Sequence, residues 1–238
     1  MSIRVGFDVD GVIADFNKTF RETAAHIEGG AGQDPSNPAV APLRAVAMRR
    51  VWDHISRTPQ WWLQLEAYEP EQIERIYRTS RERRWEVYFM TTRPSSAGET
   101  TQFQTQWWLE SHRFPMPSVL TVPGSRGDAA NTLKLDITVD DRLTNCVDII
   151  AASRSKAILV LRREDPTVRD QALARGIGVV STLAAAIDAV EQFEEAKRAS
   201  SGRLSRLADW FKPSKHEEER LPIDARATLG RVHPPPKA

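Results

Sequence analysis

The sequence predicts an α/β fold, a buried parallel sheet with helices on both faces and a small helical segment inserted after the first strand. Three observations lead there. Short, unbroken apolar runs recur along the chain, helical patterns alternate with them, and one long strandless interval follows the first run. Continuous apolar strands mark a sheet covered on both faces, and alternation with helices is how parallel strands are joined.

The runs at residues 3–7, 86–90, 119–122, 137–139 and 157–161 read as buried strands, with a weaker sixth at 178–180. Helical patterns at 102–111, 143–153 and 167–175 separate the later ones. The last opens with Asp165 able to cap and Pro166 at the first helical position. Between Asp15 and Arg84 no run reads as a strand; helical stretches at 16–27, 43–55 and 70–83 occupy the interval, with a Gly/Pro-rich loop at 29–42. The domain plan is therefore a Rossmann-like core of residues 1–15 plus 84–195, a helical cap at 16–83, and a charged tail at 196–238. The tail holds one short amphipathic stretch at 204–211 and closes on Pro234-Pro235-Pro236.

Composition narrows the function classes. The chain has 238 residues, 33 Lys and Arg against 32 Asp and Glu, so it lacks the basic surplus that duplex nucleic acid demands. No apolar run approaches the roughly 20 residues that span a bilayer. The N-terminal residues already read as a strand and not as a signal peptide, so the expected address is cytoplasmic. A single cysteine, Cys146, excludes an intrachain disulfide and a thiolate metal cage, and reads as a small core residue. The five histidines show no ligand spacing.

In open parallel sheets ligands bind beyond the carboxyl ends of the strands. The first strand ends in Phe7-Asp8-Val9-Asp10-Gly11-Val12, the second in Thr91-Thr92-Arg93, and the fourth in Asp140-Asp141-Arg142, with Asn145 shortly after. Paired carboxylates at two strand ends of one sheet repel each other unless a hard cation neutralises them, and Mg²⁺ prefers oxygen ligands. A hydroxyl and a guanidinium share that edge.

These residues resemble the haloacid-dehalogenase superfamily of phosphatases, in which a strand is followed by Asp-x-Asp-Gly-Val/Thr (here residues 8–12), a second strand by Thr or Ser (Thr91), and a later strand by an acidic pair (Asp140-Asp141). The wording of residues 7–15, 91–94 and 139–145, with Trp61-Trp62-Leu63 ahead of Pro70, is similar to the 5′(3′)-deoxyribonucleotidases. The resemblance covers about residues 2–195. It implies a Mg²⁺-dependent phosphomonoesterase with Asp8 as nucleophile, Asp10 as proton shuttle and Thr91 as a donor to phosphate. It also implies metal ligation by Asp8, Asp10 and Asp141, with Asp140 behind them or exchanged with Asp141. Asn145 would orient Asp141 or a metal-bound water.

One family element departs. Lys134 lies at the wrong end of the fourth strand to reach phosphate, whereas Arg126 follows the third strand at the correct end and is expected to take the family lysine's role. A guanidinium grips phosphate in a different way from an ammonium. Thr92 and Arg93 are expected at the substrate, Arg93 either on phosphate or as an anchor of its loop. Trp52, Trp61 and Trp62 have two possible roles, stacking on a nucleobase or forming the core of the cap; of Trp107 and Trp108, at most one should face the core. The expected substrate is a small phosphorylated molecule, with nucleoside monophosphates first. The alternatives are a sugar phosphate or other metabolite, or phosphate binding without turnover.

Overall fold

The computed structural model describes residues 2–27 and 45–199. Six parallel strands form one sheet: β1 (Arg4–Asp8), β2 (Glu86–Thr91), β3 (Ser118–Thr121), β4 (Ile137–Asp140), β5 (Lys156–Val160) and β6 (Gly178–Val180), in the order β3-β2-β1-β4-β5-β6. All six expected strands are present, with bounds that differ by at most one residue. The shift at β1 matters, because Asp8 is the last residue of the strand and pairs in register with Met90. The order reverses between β1 and β4. That crevice is the topological switch point where open α/β sheets bind ligands.

After β1 come α1 (Phe16–Ile27), α2 (Ala45–Arg57), a 3₁₀ turn at Trp61–Gln64 and α3 (Pro70–Arg83). The expected loop at residues 29–42 lies outside the described residues. Then follow α4 (Thr101–Ser111), α5 (Arg126–Leu133), α6 (Leu143–Ala152), α7 (Pro166–Ala174) and α8 (Leu183–Ala199). Short polar caps set several of these starts: the side chains of Thr100, Ser125 and Asp165 accept from the backbone N–H of Phe103, Asp128 and Val168. The helix α8 carries the chain through Ala199; the rest of the expected tail, including residues 204–211, lies outside the described residues.

Each sheet face has its own core. On one, Val5, Phe7, Phe89, Val119, Val139 and Ile158 meet Ile73 and Ile76 of α3, Trp108 and Leu109 of α4, and Ile187 and Val190 of α8. On the other, Met90, Ala157 and Leu159 meet Ala130, Cys146, Ile149 and Ala172. Arg75 and Arg83 of α3 pair with Asp188, Glu191, Glu194 and Glu195 of α8. Cys146 is buried, and of the α4 tryptophans Trp108 is buried while Trp107 is half exposed, as the helical pattern requires. No helix among the described residues is long and apolar enough to cross a membrane.

The inserted segment has an aromatic core. Phe16 stacks on Trp52 and Trp62 at 5.9 and 6.0 Å between ring centres, and Trp61 meets Trp62 edge-on at 4.9 Å. Trp61 and Trp62 are each 1% exposed, and their indole N–H groups donate to Thr23 Oγ1 and the Pro94 carbonyl. This corrects their expected place at the substrate. Neither ring has a free face for a base, because indole surface of this size gains more from packing under two helices than from standing in water.

Candidate functional site

The site is assembled from the carboxyl ends of β1, β2 and β4 and the first turn of α5. Beyond Asp8 the chain coils tightly: Ile13 and Ala14 N–H both donate to the Val9 carbonyl, and Gly11 N–H donates to Ala14 O. Gly11 sits at φ 95°, and a Cβ there would lie 2.0 Å from Asp141 Oδ2. The glycine is thus required twice, for a left-handed backbone and for the close approach of an acid from β4.

Asp10 is held from the β2 side. Thr91 Oγ1 donates to its Oδ2 at 3.0 Å, and Arg93 forks onto it through Nε at 2.9 Å and Nη2 at 2.7 Å. The remaining nitrogen, Arg93 Nη1, donates to Thr105 Oγ1, and the guanidinium lies 4.9 Å from the Trp62 ring centre. Arg93 is therefore the anchor of its loop, one of the two roles open to it from sequence. Thr91 donates to a carboxylate and is wholly buried, and Thr92 turns away to donate to the Val122 carbonyl on the β3 side.

The acids of β4 differ sharply. Asp140 is wholly buried and saturated: Arg142 N–H donates to Oδ1, and Asn145 Nδ2 reaches both oxygens at 3.0 and 3.1 Å. Asn145 thus serves Asp140, where the sequence suggested Asp141 or a water. Asp141 Oδ1 is buried with no hydrogen-bond partner.

Arg126 is the first residue of α5 and is 5% exposed. Its Nη2 donates to Asp8 Oδ1 at 2.6 Å, while Nε and Nη1 are buried without hydrogen-bond partners, Nε facing Asp140 Oδ2 at 4.0 Å. The helix start is bolted down around it. Ser125 Oγ and Gly127 N–H both donate to Asp148 Oδ2 of α6, and a Cβ on Gly127 would meet the Asp148 carbonyl at 2.3 Å. Lys134 caps the far end of α5. Arg126 sits at a helix N-terminus, a setting readable in Ser125 followed three residues later by Asp128. Two contributors carried no sequence signal of their own: Asp148, and Arg162 at the end of β5, whose guanidinium grips the turn after Asp10.

Crowded acids make the site electrostatically unfinished. Burial, then repulsion from Asp140, holds the Asp8 carboxyl well above the usual range despite the Arg126 guanidinium. Burial likewise raises Asp140 against its hydrogen bonds, and burial plus Asp140 pushes Asp141 up to about 7. A cation beside Asp8 and Asp141 would relieve all of this and satisfy Asp141 Oδ1. Among the described residues no three His, Cys, Asp or Glu side chains form a ready-made cage. The donors on offer suit a hard cation held by one or two carboxylates with backbone oxygens and retained water, which is the coordination of Mg²⁺.

No protein-family model matches the sequence, and no curated protein is similar to it in sequence. Solved structures are similar in fold. A predicted phosphatase from Clostridium acetobutylicum superposes with a TM-score of 0.56 at 14% identity, over 81% of this chain and 99% of that one. A haloacid dehalogenase-like family hydrolase from Streptococcus pneumoniae gives 0.50 at 12% identity, over 81% and 98%. The chain has the fold of the haloacid dehalogenase-like hydrolases.

Proposed function

We propose that the protein is a Mg²⁺-dependent phosphomonoesterase that works through an aspartyl-phosphate on Asp8. The observation that carries this reading is the pairing of unused groups around Asp8: two buried donors on Arg126, and a buried acceptor on Asp141. A pocket with leftover N–H groups and a leftover carboxylate oxygen suits an anion and a cation bound together. Buried polar groups are otherwise partnered almost without exception.

In the first step an Asp8 oxygen attacks phosphorus, the bond to the leaving oxygen breaks, and Asp10 gives that oxygen its proton. In the second, water attacks phosphorus, Asp10 takes its proton, and the Asp8–phosphorus bond breaks. Both Asp10 oxygens are engaged in the structure, so proton transfer requires the Arg93 fork to yield one of them. Arg126 would place Nε and Nη1 on the transferring phosphoryl group, where charge accumulates, while its Nη2 orients Asp8. Mg²⁺ bound by Asp8, Asp141 and the Asp10 backbone would offset the repulsion between anionic nucleophile and anionic substrate. Asp140 stands behind, held by Asn145.

Nucleoside monophosphates are the first substrate choice, on the wording of residues 7–15, 91–94 and 139–145. The buried Trp61 and Trp62 add nothing to that choice. The test is phosphate release from a panel of nucleoside monophosphates, sugar phosphates and an aryl phosphate, with Mg²⁺ and with a chelator. Mg²⁺-dependent turnover with nucleotides leading is expected. Turnover led by sugar phosphates removes the nucleotide assignment alone, and no release from any ester removes the phosphatase.

A further inference from the structure

We propose that Arg162 is a positioning residue for this site, a clamp that holds the turn behind Asp10 against the chain leaving the inserted segment; the inference rests on the phosphatase reading above. Arg162 follows β5, and its side chain is about one-fifth exposed. All three nitrogens of its guanidinium are spent on separate acceptors. Nε donates to the Gly11 carbonyl at 3.1 Å, Nη2 to the Val12 carbonyl at 2.6 Å, and Nη1 to Glu69 Oε1 at 3.1 Å. Its flat face lies 3.7 Å from the Tyr68 ring centre.

The acceptors belong to two different parts of the machinery, the turn after Asp10 and the end of the inserted segment. Gly11 is the residue where any Cβ would collide with Asp141, and it directly follows Asp10. A shift of its carbonyl therefore moves the acid on one strand end against the acid on the other. Glu69 stands where the insertion returns to the sheet, and its carboxylate also accepts the first two backbone N–H groups of α8, from Leu183 and Ala184. Those bonds, with Arg162, hold its carboxyl below the usual range although burial acts the other way. The second strand of the junction closes the ring: Tyr68 Oη donates to Asp15 Oδ1, Tyr68 N–H to Ile13 O, and Asp15 N–H to Glu66 O. Residues 11–15 and 66–69, the way into and out of the insertion, are thus fastened to each other by their own bonds, and the Arg162 guanidinium ties both to the segment after β5.

Only a planar fork can serve three acceptors and stack on a ring at once; an ammonium on a flexible stem serves a point. Catalysis tolerates little misplacement, since an error near 1 Å at a reacting group can cost about 100-fold. Arg162 touches neither Asp8 nor Asp10 in the structure, so its effect would pass through the backbone of Gly11 and Val12.

The experiment compares Arg162→Lys, Arg162→Gln and Glu69→Gln with the unaltered full chain, by aryl phosphate kinetics and by amide hydrogen exchange over residues 9–15. Expected for both Arg162 variants is a fall in kcat of roughly 10- to 100-fold with KM within about 2-fold, and faster exchange at Gly11, Ile13 and Ala14. Glu69→Gln keeps both carbonyl contacts and should lose less than about 5-fold in kcat. Unchanged exchange across the turn in Arg162→Lys overturns the clamp whatever the kinetics show. Faster exchange with full kcat per folded molecule overturns its role in catalysis. A wild-type protein that releases no phosphate defeats the phosphatase reading instead, and the exchange comparison still decides whether the clamp exists.

Discussion

Two arginines stand on either side of Asp8 and Asp10, and they are used in opposite ways. At the end of β2, Arg93 spends Nε and Nη2 on Asp10 and Nη1 on Thr105, with Trp62 beside it. At the start of α5, Arg126 is equally buried yet hydrogen-bonds only Asp8, leaving two nitrogens without hydrogen bonds, one of them 4.0 Å from Asp140. The acids show the same contrast: Asp140 is saturated by Asn145 and Arg142, and Asp141 keeps one buried oxygen empty. A saturated buried group belongs to the architecture. An unsatisfied one is a standing cost of about 1–3 kcal/mol that a bound ligand can relieve.

The largest effect should come from Asp8, the residue that Arg126 holds. Asp8→Asn keeps the shape of the side chain but removes the nucleophile, and aryl phosphate hydrolysis should fall below about one part in 10⁴ while the circular dichroism spectrum is unchanged. A folded variant with most of its activity intact would end the comparison, because the unused groups would then surround nothing.

The arginines themselves provide the sharper test. Arg126→Met should lower kcat/KM roughly 100- to 1,000-fold, as loss of an oxyanion-type donor does, and should also cost stability, because it breaks the buried pair with Asp8. Inorganic phosphate should stabilise the wild type against heat but not this variant. Arg93→Met should also cost about 3–5 kcal/mol of stability, the usual consequence of breaking a buried ion pair, yet keep the stabilisation by phosphate. Equal responses of the two variants to phosphate would erase the distinction drawn between them.

The smallest effect is electrostatic. Asp141 is raised to about 7, and Asp8 and Asp140 are raised as well. A carboxyl raised on folding makes the native state bind protons more tightly than the unfolded chain. The metal-free protein should therefore lose stability as pH climbs from the unfolded carboxyl range near 4 towards the folded value, with the Asp141 part of the loss complete above about 7. Asp141→Asn should flatten part of that slope, and Mg²⁺ should raise Tm more at pH 8 than at pH 5. A metal-free Tm that rises steadily over that interval would show that the acids are not crowded as described.

Much of this was legible beforehand, and the misses have a common cause. Asp8, Asp10, Thr91, Asp140 and Asp141 stood out because each follows directly on an apolar strand, and strand ends are local features of a chain. Arg126 was legible as a cation at the correct end of β3, though its seat at a helix start had to be read from Ser125 and Asp128. The role of Trp61 and Trp62 was not legible: an indole that stacks on a ligand and one that fills a core look alike in sequence, and only the packing of Phe16, Trp52 and Arg93 around them separates the two. Arg162 sits in Arg162-Arg163-Glu164, which reads as an ordinary solvated run.

By itself the sequence determined the α/β class, the six strands, the place of the insertion and the edge at which the acids gather, because apolar period and strand polarity are written into neighbouring residues. The tertiary structure alone decided which buried groups are left over. Arg126 meets Asp8 across 118 residues and Arg162 meets Gly11 across 151, so whether a given nitrogen or oxygen finds a partner depends on chain segments that only folding brings together. Adjacent acids such as Asp140 and Asp141 then part company, one locked by Asn145 and the other open at Oδ1, through the direction each side chain takes at the end of β4.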